Sequence, residues 1–151
     1  MSGDQLYLGG GAKMVRHHHR AILVTVLLNQ VVGFLWYSSY LFLNPWAAGL
    51  GKKVSELNRG NLAPYIGAIF GAFLSCYVIS WLLQRLGANT GGKGASVGII
   101  LWVGIALPVL LPHYMFAGIS FSVLFIDALN ALFILVMTGF ILATWPKSRL
   151  Y

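Results

Sequence analysis

The sequence predicts an all-α integral membrane protein, a four-helix bundle with both termini on the cytoplasmic-equivalent side. Three observations carry that prediction. Four apolar runs, about 21–43, 63–86, 96–116 and 121–145, are each long enough to cross a bilayer as a helix. Hydrophobic residues make up 58% of the chain and charged residues 9%, against about 45–50% and 25% in soluble domains. The Lys and Arg residues lie outside the helix interiors: Lys13, Arg16, Arg20, Arg85, Lys93, Lys147 and Arg149 fall on the side of both termini, and Lys52, Lys53 and Arg59 fall opposite. That bias places the termini inside.

The same placement gives the net charge of +7 its meaning. The cations flank lipid headgroups, so the partner they imply is the bilayer and not a nucleic acid. The loops leave no room for a soluble domain. The organisation is a basic N-terminal tail (1–20) read as flexible, one membrane domain (21–145) and a C-terminal stub (146–151). The first run carries Asn29 and Gln30 in its middle and is followed by bulky aromatics, so it is expected to stay attached as an anchor. Cys76 is the only cysteine, which excludes an intrachain disulfide and a cysteine metal cluster.

In the first span, Thr25, Asn29, Gly33, Trp36 or Tyr37 and Tyr40 recur at steps of three or four, a stripe expected to face protein. Trp36, Tyr37 and Trp46 form an aromatic cluster suited to the headgroup boundary and are read as interface anchors. Before this span, His17-His18-His19 between Arg16 and Arg20 reads as a basic collar more readily than a metal tract, because consecutive histidines point in different directions on a helix. The connection after it suggests a short surface helix around Val54 and Leu57, with Ser55 as its cap. Pro64 marks the first turn of the second span.

The second span carries Gly67, Gly71 and Ser75, and beside them Ala68, Ala72 and Cys76, each at steps of four. Such a face lets another backbone approach closely, so these residues are the expected helix-packing surface. Gly94 and Gly98 give the third span a similar step. Pro108 and Pro112 then remove two backbone donors from its later half, which predicts a kink and hydration there. In the fourth span Asp127, Asn130 and Thr138 share a face, with Gly139 and Ala143 nearer its end.

Asp127 is the only acidic residue inside a span, and a carboxylate in lipid costs at least ~2.5 kcal/mol. It must be protonated, paired or in a wet cavity. His113 and Asp127 lie on either side of Gly118, roughly 7 and 13 Å from that turn at ~1.5 Å per residue, so they are candidate neighbours. The functional reading is a proton or cation relay of Asp127 and His113, with Asn130 or Asn29 completing a hydration shell. The plain alternative is a structural polar clasp. His113 is also the only candidate axial ligand for a haem or pigment, on a single histidine. No cofactor is expected. No nucleophile sits in a strained turn and no second acid supports paired-carboxylate chemistry, so an enzyme is not expected either.

Several segments together resemble a family of small four-span membrane proteins, domain of unknown function 1761. They are Gly33-Phe34-Leu35-Trp36-Tyr37-Ser38, similar to a Gly-x-x-Trp-Tyr-Ser pattern followed by proline, with Leu101-Trp102-Val103-Gly104, Ile126-Asp127-Ala128 and residues 137–145. The resemblance covers about 21–145 and implies a four-helix fold, but no activity and no functional residues. Ser39 stands where the pattern has proline, which implies a less sharp end to the first helix. The functional expectation is a non-enzymatic multi-pass protein: an accessory or assembly subunit with a protein partner, or a self-associating bundle. The alternatives are a small proton-linked carrier or channel using Asp127 and, more remotely, a pigment- or haem-binding subunit.

Overall fold

The computed structural model describes residues 18–57 and 60–146. All regular structure among them is helical. Helix α1 is His19–Trp36 and α2 is the short Leu43–Gly49, followed by a single 3-10 turn at Val54–Glu56. Helix α3 is Ala63–Arg85, and α4, Gly91–Leu101, runs through a π-helical turn, Trp102–Ala106, into α5, Leu107–Phe116. Helix α6 is Phe121–Thr144. By length and hydropathy, α1, α3, the continuous α4–α5 unit and α6 can each cross a membrane. Phe34, Phe70, Phe116 and Phe121 are among many large apolar side chains left on the outside, as lipid contact requires. The protein is an integral membrane protein.

Helix α6 is the hub, touching α1, α2, α3, α4 and α5. Its closest neighbour is α4, and glycine is the reason. A Cβ at Gly94 would strike the Gly139 carbonyl oxygen, one at Gly139 would strike the Gly94 carbonyl, and one at Gly98 would strike the Leu135 carbonyl. The small residues expected to form a packing surface on α3 divide between the outside and the bundle interior. Gly67 and Gly71 have no atom within 4 Å of an added Cβ, and Ala68 and Ser75 are exposed. Ala72 and Cys76 of that set pack inward, with Ile22 and Val26. Steps of four small residues permit close approach, but they do not say whether protein or lipid fills the space.

Several boundaries also differ from expectation. α1 stops at Trp36, sharply despite Ser39, because the Ser38 hydroxyl turns back to the Leu35 carbonyl (2.7 Å) and Phe42 N–H closes on the Trp36 carbonyl (3.1 Å). The chain then folds over as α2, which the continuous apolar run to residue 43 concealed. At the expected surface helix there is only the 3-10 turn, held by Glu56 accepting from Lys53 N–H (2.8 Å), with no cap from Ser55. Pro64 does lie in the first turn of α3, where Asn61 Oδ1 takes the Ala63 N–H (3.0 Å).

The π turn explains how a helix carries Pro108. Proline supplies no N–H, and its ring crowds the carbonyl four residues back. Widening that turn, with Leu107 N–H reaching the Trp102 carbonyl, relieves the crowding and takes up one extra residue. The polar stripe of α1 faces protein through Thr25 and Asn29, both buried, and reaches Trp36 and Tyr37; Tyr40, 93% exposed, lies outside it.

Candidate functional site: a carboxylate held by two tyrosines and a tryptophan

Asp127 lies on the second turn of α6, at the end of the bundle that carries α2. Side chains from three other segments converge on it. The Tyr37 hydroxyl, just past α1, donates to Asp127 Oδ1 at 2.6 Å, and Trp46 Nε1 of α2 donates to the same oxygen at 3.0 Å. The Tyr114 hydroxyl of α5 donates to Oδ2 at 2.6 Å. The Tyr37 and Trp46 rings meet edge to face at 5.4 Å. Two further indoles clamp the same stretch of α6: Trp36 Nε1 donates to the Ile126 carbonyl (3.2 Å) and Trp102 Nε1 to the Ala128 carbonyl (2.7 Å). Three consecutive residues of α6 therefore each accept from a tryptophan on a different element.

The donors to Asp127 are all neutral, so they hydrogen-bond the carboxylate without cancelling its charge. No ion pair reaches Asp127 among the described residues. The chemistry on offer is hydrogen bonding and cation attraction at a half-buried carboxylate. No nucleophile and base are paired here.

The four relay candidates do not come together. His113 is exposed, its ring edge-on to Tyr114 at 5.7 Å, and takes none of the carboxylate's hydrogen bonds. Its neighbour Tyr114 has the place expected for it. Asn29 is paired much further along α6, with Thr138 (Nδ2 to Oγ1, 3.3 Å), and its Nδ2 also approaches Cys76 Sγ at 4.0 Å. Asn130 lies one turn from Asp127 and is 6% exposed, yet its Nδ2 has no partner among the described residues. The three proposed interface anchors, Trp36, Tyr37 and Trp46, turn their polar atoms inward to α6.

No group of three or more His, Cys, Asp or Glu side chains among the described residues has the arrangement of a metal site. His19 of the histidine tract is bonded to the Tyr77 hydroxyl (2.9 Å), and His17 lies outside the described residues. An apolar groove of about 460 Å³ between Trp36 and Trp102 follows Leu129, Leu132, Phe133 and Val136. At 100° per residue that stripe is the face of α6 opposite Asp127, so the groove is no part of the carboxylate site.

A family model matches residues 20–143, which holds all but the first residue of α1 together with Tyr37, Trp46, Tyr114 and Asp127. The chain belongs to the family described as protein of unknown function (DUF1761). No curated protein and no solved structure matches it. In this DUF1761 chain the Trp36-Tyr37-Ser38 segment has a defined job: it ends α1, clamps α6 and supplies one of the two short hydrogen bonds to Asp127.

The sequence signal for this cluster was the lone intramembrane acid, which required donors. Tyr37, Trp46 and Tyr114 were the polar-tipped aromatics at its depth. Aromatic residues at span ends also fit a headgroup belt, and that reading concealed them.

Proposed function

We propose that the protein is a non-enzymatic membrane bundle that works by association, with a second copy of itself seated on the α2-end half of α3. The supporting observation is that every residue from Asn61 to Phe70 is exposed, although α3 is well packed further along at Cys76, Ile79, Ser80 and Leu83. Half a helix exposed along its whole length, with open positions at Gly67 and Gly71, suits close packing by another backbone. The test is the mass of the complex after mild extraction, for wild type and for Gly67→Leu with Gly71→Leu. The reading expects a homo-oligomer that the double variant reduces to monomer; a monomeric wild type contradicts it.

A second reading, a small carrier coupled to protons or cations, is favoured by one observation: Asp127 has three neutral donors and no cationic partner among the described residues. Asp127 is then the coupling site. Vesicle flux should be lost in Asp127→Asn with assembly intact, and unchanged flux removes that role. A pigment or haem at His113 would show as visible absorbance of the extracted protein, lost in His113→Leu.

A further inference from the structure

The inward face of α6 carries two polar groups whose partners are incomplete. Asp127 is the first. Each carboxylate oxygen has room for about two hydrogen bonds; Oδ1 accepts from Tyr37 and Trp46, but Oδ2 accepts from Tyr114 alone. Its negative charge also lacks an ion pair among the described residues. Such a charge in a membrane span is costly until a cation meets it.

Asn130 is the second. Its Nδ2 is buried without a partner, and neither end of the amide is hydrogen-bonded among the described residues. Turning the amide over therefore breaks no protein bond and puts Oδ1, an acceptor, in the buried position. Residues three apart on a helix are neighbours, about 5–6 Å between Cβ atoms. Side chains lean toward the helix N-terminus, which for Asn130 is the direction of Asp127.

We propose that Asp127 and Asn130 bind a small nitrogen cation, ammonium or a short primary alkylammonium, between the carboxylate and the amide oxygen. The inference rests on the second reading above and names its ligand class. An N–H cation is satisfied by two or three acceptors, here the two carboxylate oxygens and the amide oxygen. A metal ion is the poorer fit. Calcium takes 6–8 oxygen ligands, and the described residues hold no cluster of three metal-ligating side chains. The carboxylate is reachable from outside because Asp127 is only half-buried, and the amide, 6% exposed, is reached past it.

The experiment is titration of the purified full-length protein in neutral detergent, at fixed pH and ionic strength, with ammonium, methylammonium or potassium chloride. Emission of a Trp81→Phe, Trp145→Phe variant, which keeps Trp46 bonded directly to the carboxylate, and thermal stability are read together. Potassium has the charge and nearly the size of ammonium but no N–H, so it isolates the hydrogen bonds. The expected result is a saturable response to ammonium and methylammonium at least about tenfold tighter than to potassium. That preference should vanish in Asp127→Asn and in Asn130→Leu, the latter leaving all three donors to Asp127 in place. Equal responses to potassium and ammonium, a response that does not saturate, or an unchanged preference in Asn130→Leu each overturn the proposal. Proton flux that depends on Asp127 without ammonium binding overturns it too, while leaving the carrier reading intact.

Discussion

The two ends of α6 are held by different forces. Toward its C-terminal end, α6 meets α4 backbone to backbone through Gly94, Gly98 and Gly139, beside a dry cluster of Ile79, Leu83, Val97 and Ala143. Toward its N-terminal end the contacts are polar, with three indole N–H groups and two phenols directed at residues 126–128. Within lipid there is no hydrophobic drive to bring helices together, so contact must come from close packing or from hydrogen bonds. This protein divides the two along one helix. The glycine contact itself leaves no room for a side chain, whereas the Asp127 end keeps a half-buried carboxylate among five polar-tipped aromatic side chains.

The largest effect should come from breaking the glycine end. Gly94→Leu drives a side chain into the Gly139 carbonyl, backbone that cannot move aside, and should cost about 3 kcal/mol or more. Unfolding in mixed micelles measures it. The control is Gly67→Leu, where the added atoms meet nothing in the protomer, and protomer stability should change by under about 0.5 kcal/mol.

Next in size is Asp127→Leu, which strands the Tyr37, Trp46 and Tyr114 donors. A loss of about 2–3 kcal/mol is expected, since an unsatisfied buried group costs about 1–3 kcal/mol. The variant should also raise proteolysis between α1 and α2, the segment that Tyr37 and Trp46 tie down. Smaller again is the Asn29–Thr138 bond in the interior, where a double-mutant cycle should return a coupling of about 0.6 kcal/mol.

The four spans were legible because each apolar run exceeds the bilayer thickness, and that signal survives errors of several residues at the ends. The finer geometry was less legible, for identifiable reasons. The run to residue 43 hides the stop at Trp36, because a lipid-depth helix and a short aromatic helix folded back on the bundle are equally apolar. The small residues of α3 and those of α4 read alike, and only α4 has a glycine partner on α6.

His113 is expected beside Asp127 because the two lie at similar depth from Gly118, but depth does not say which face of the helix a residue takes; the register decides that. Eleven residues make about three α-helical turns, so on a regular helix His113 shares the face of Trp102, which points at α6. The π turn at Trp102–Ala106 takes up one extra residue, and Tyr114 moves into that place. Asp127 itself was found from sequence, since a single acid in a span has to be accounted for. Its partners were visible only as aromatics.

The central claim, that Asp127 is anchored by neutral aromatic donors, is tested most directly by a double-mutant cycle of Tyr37→Phe and Asp127→Ala, which leaves no acceptor, read by unfolding in mixed micelles. A hydrogen bond to a charged group is worth about 1.5–3 kcal/mol, so a coupling near 1.5 kcal/mol is expected for the 2.6 Å contact. A coupling indistinguishable from zero, with each single variant as stable as wild type, would contradict the account.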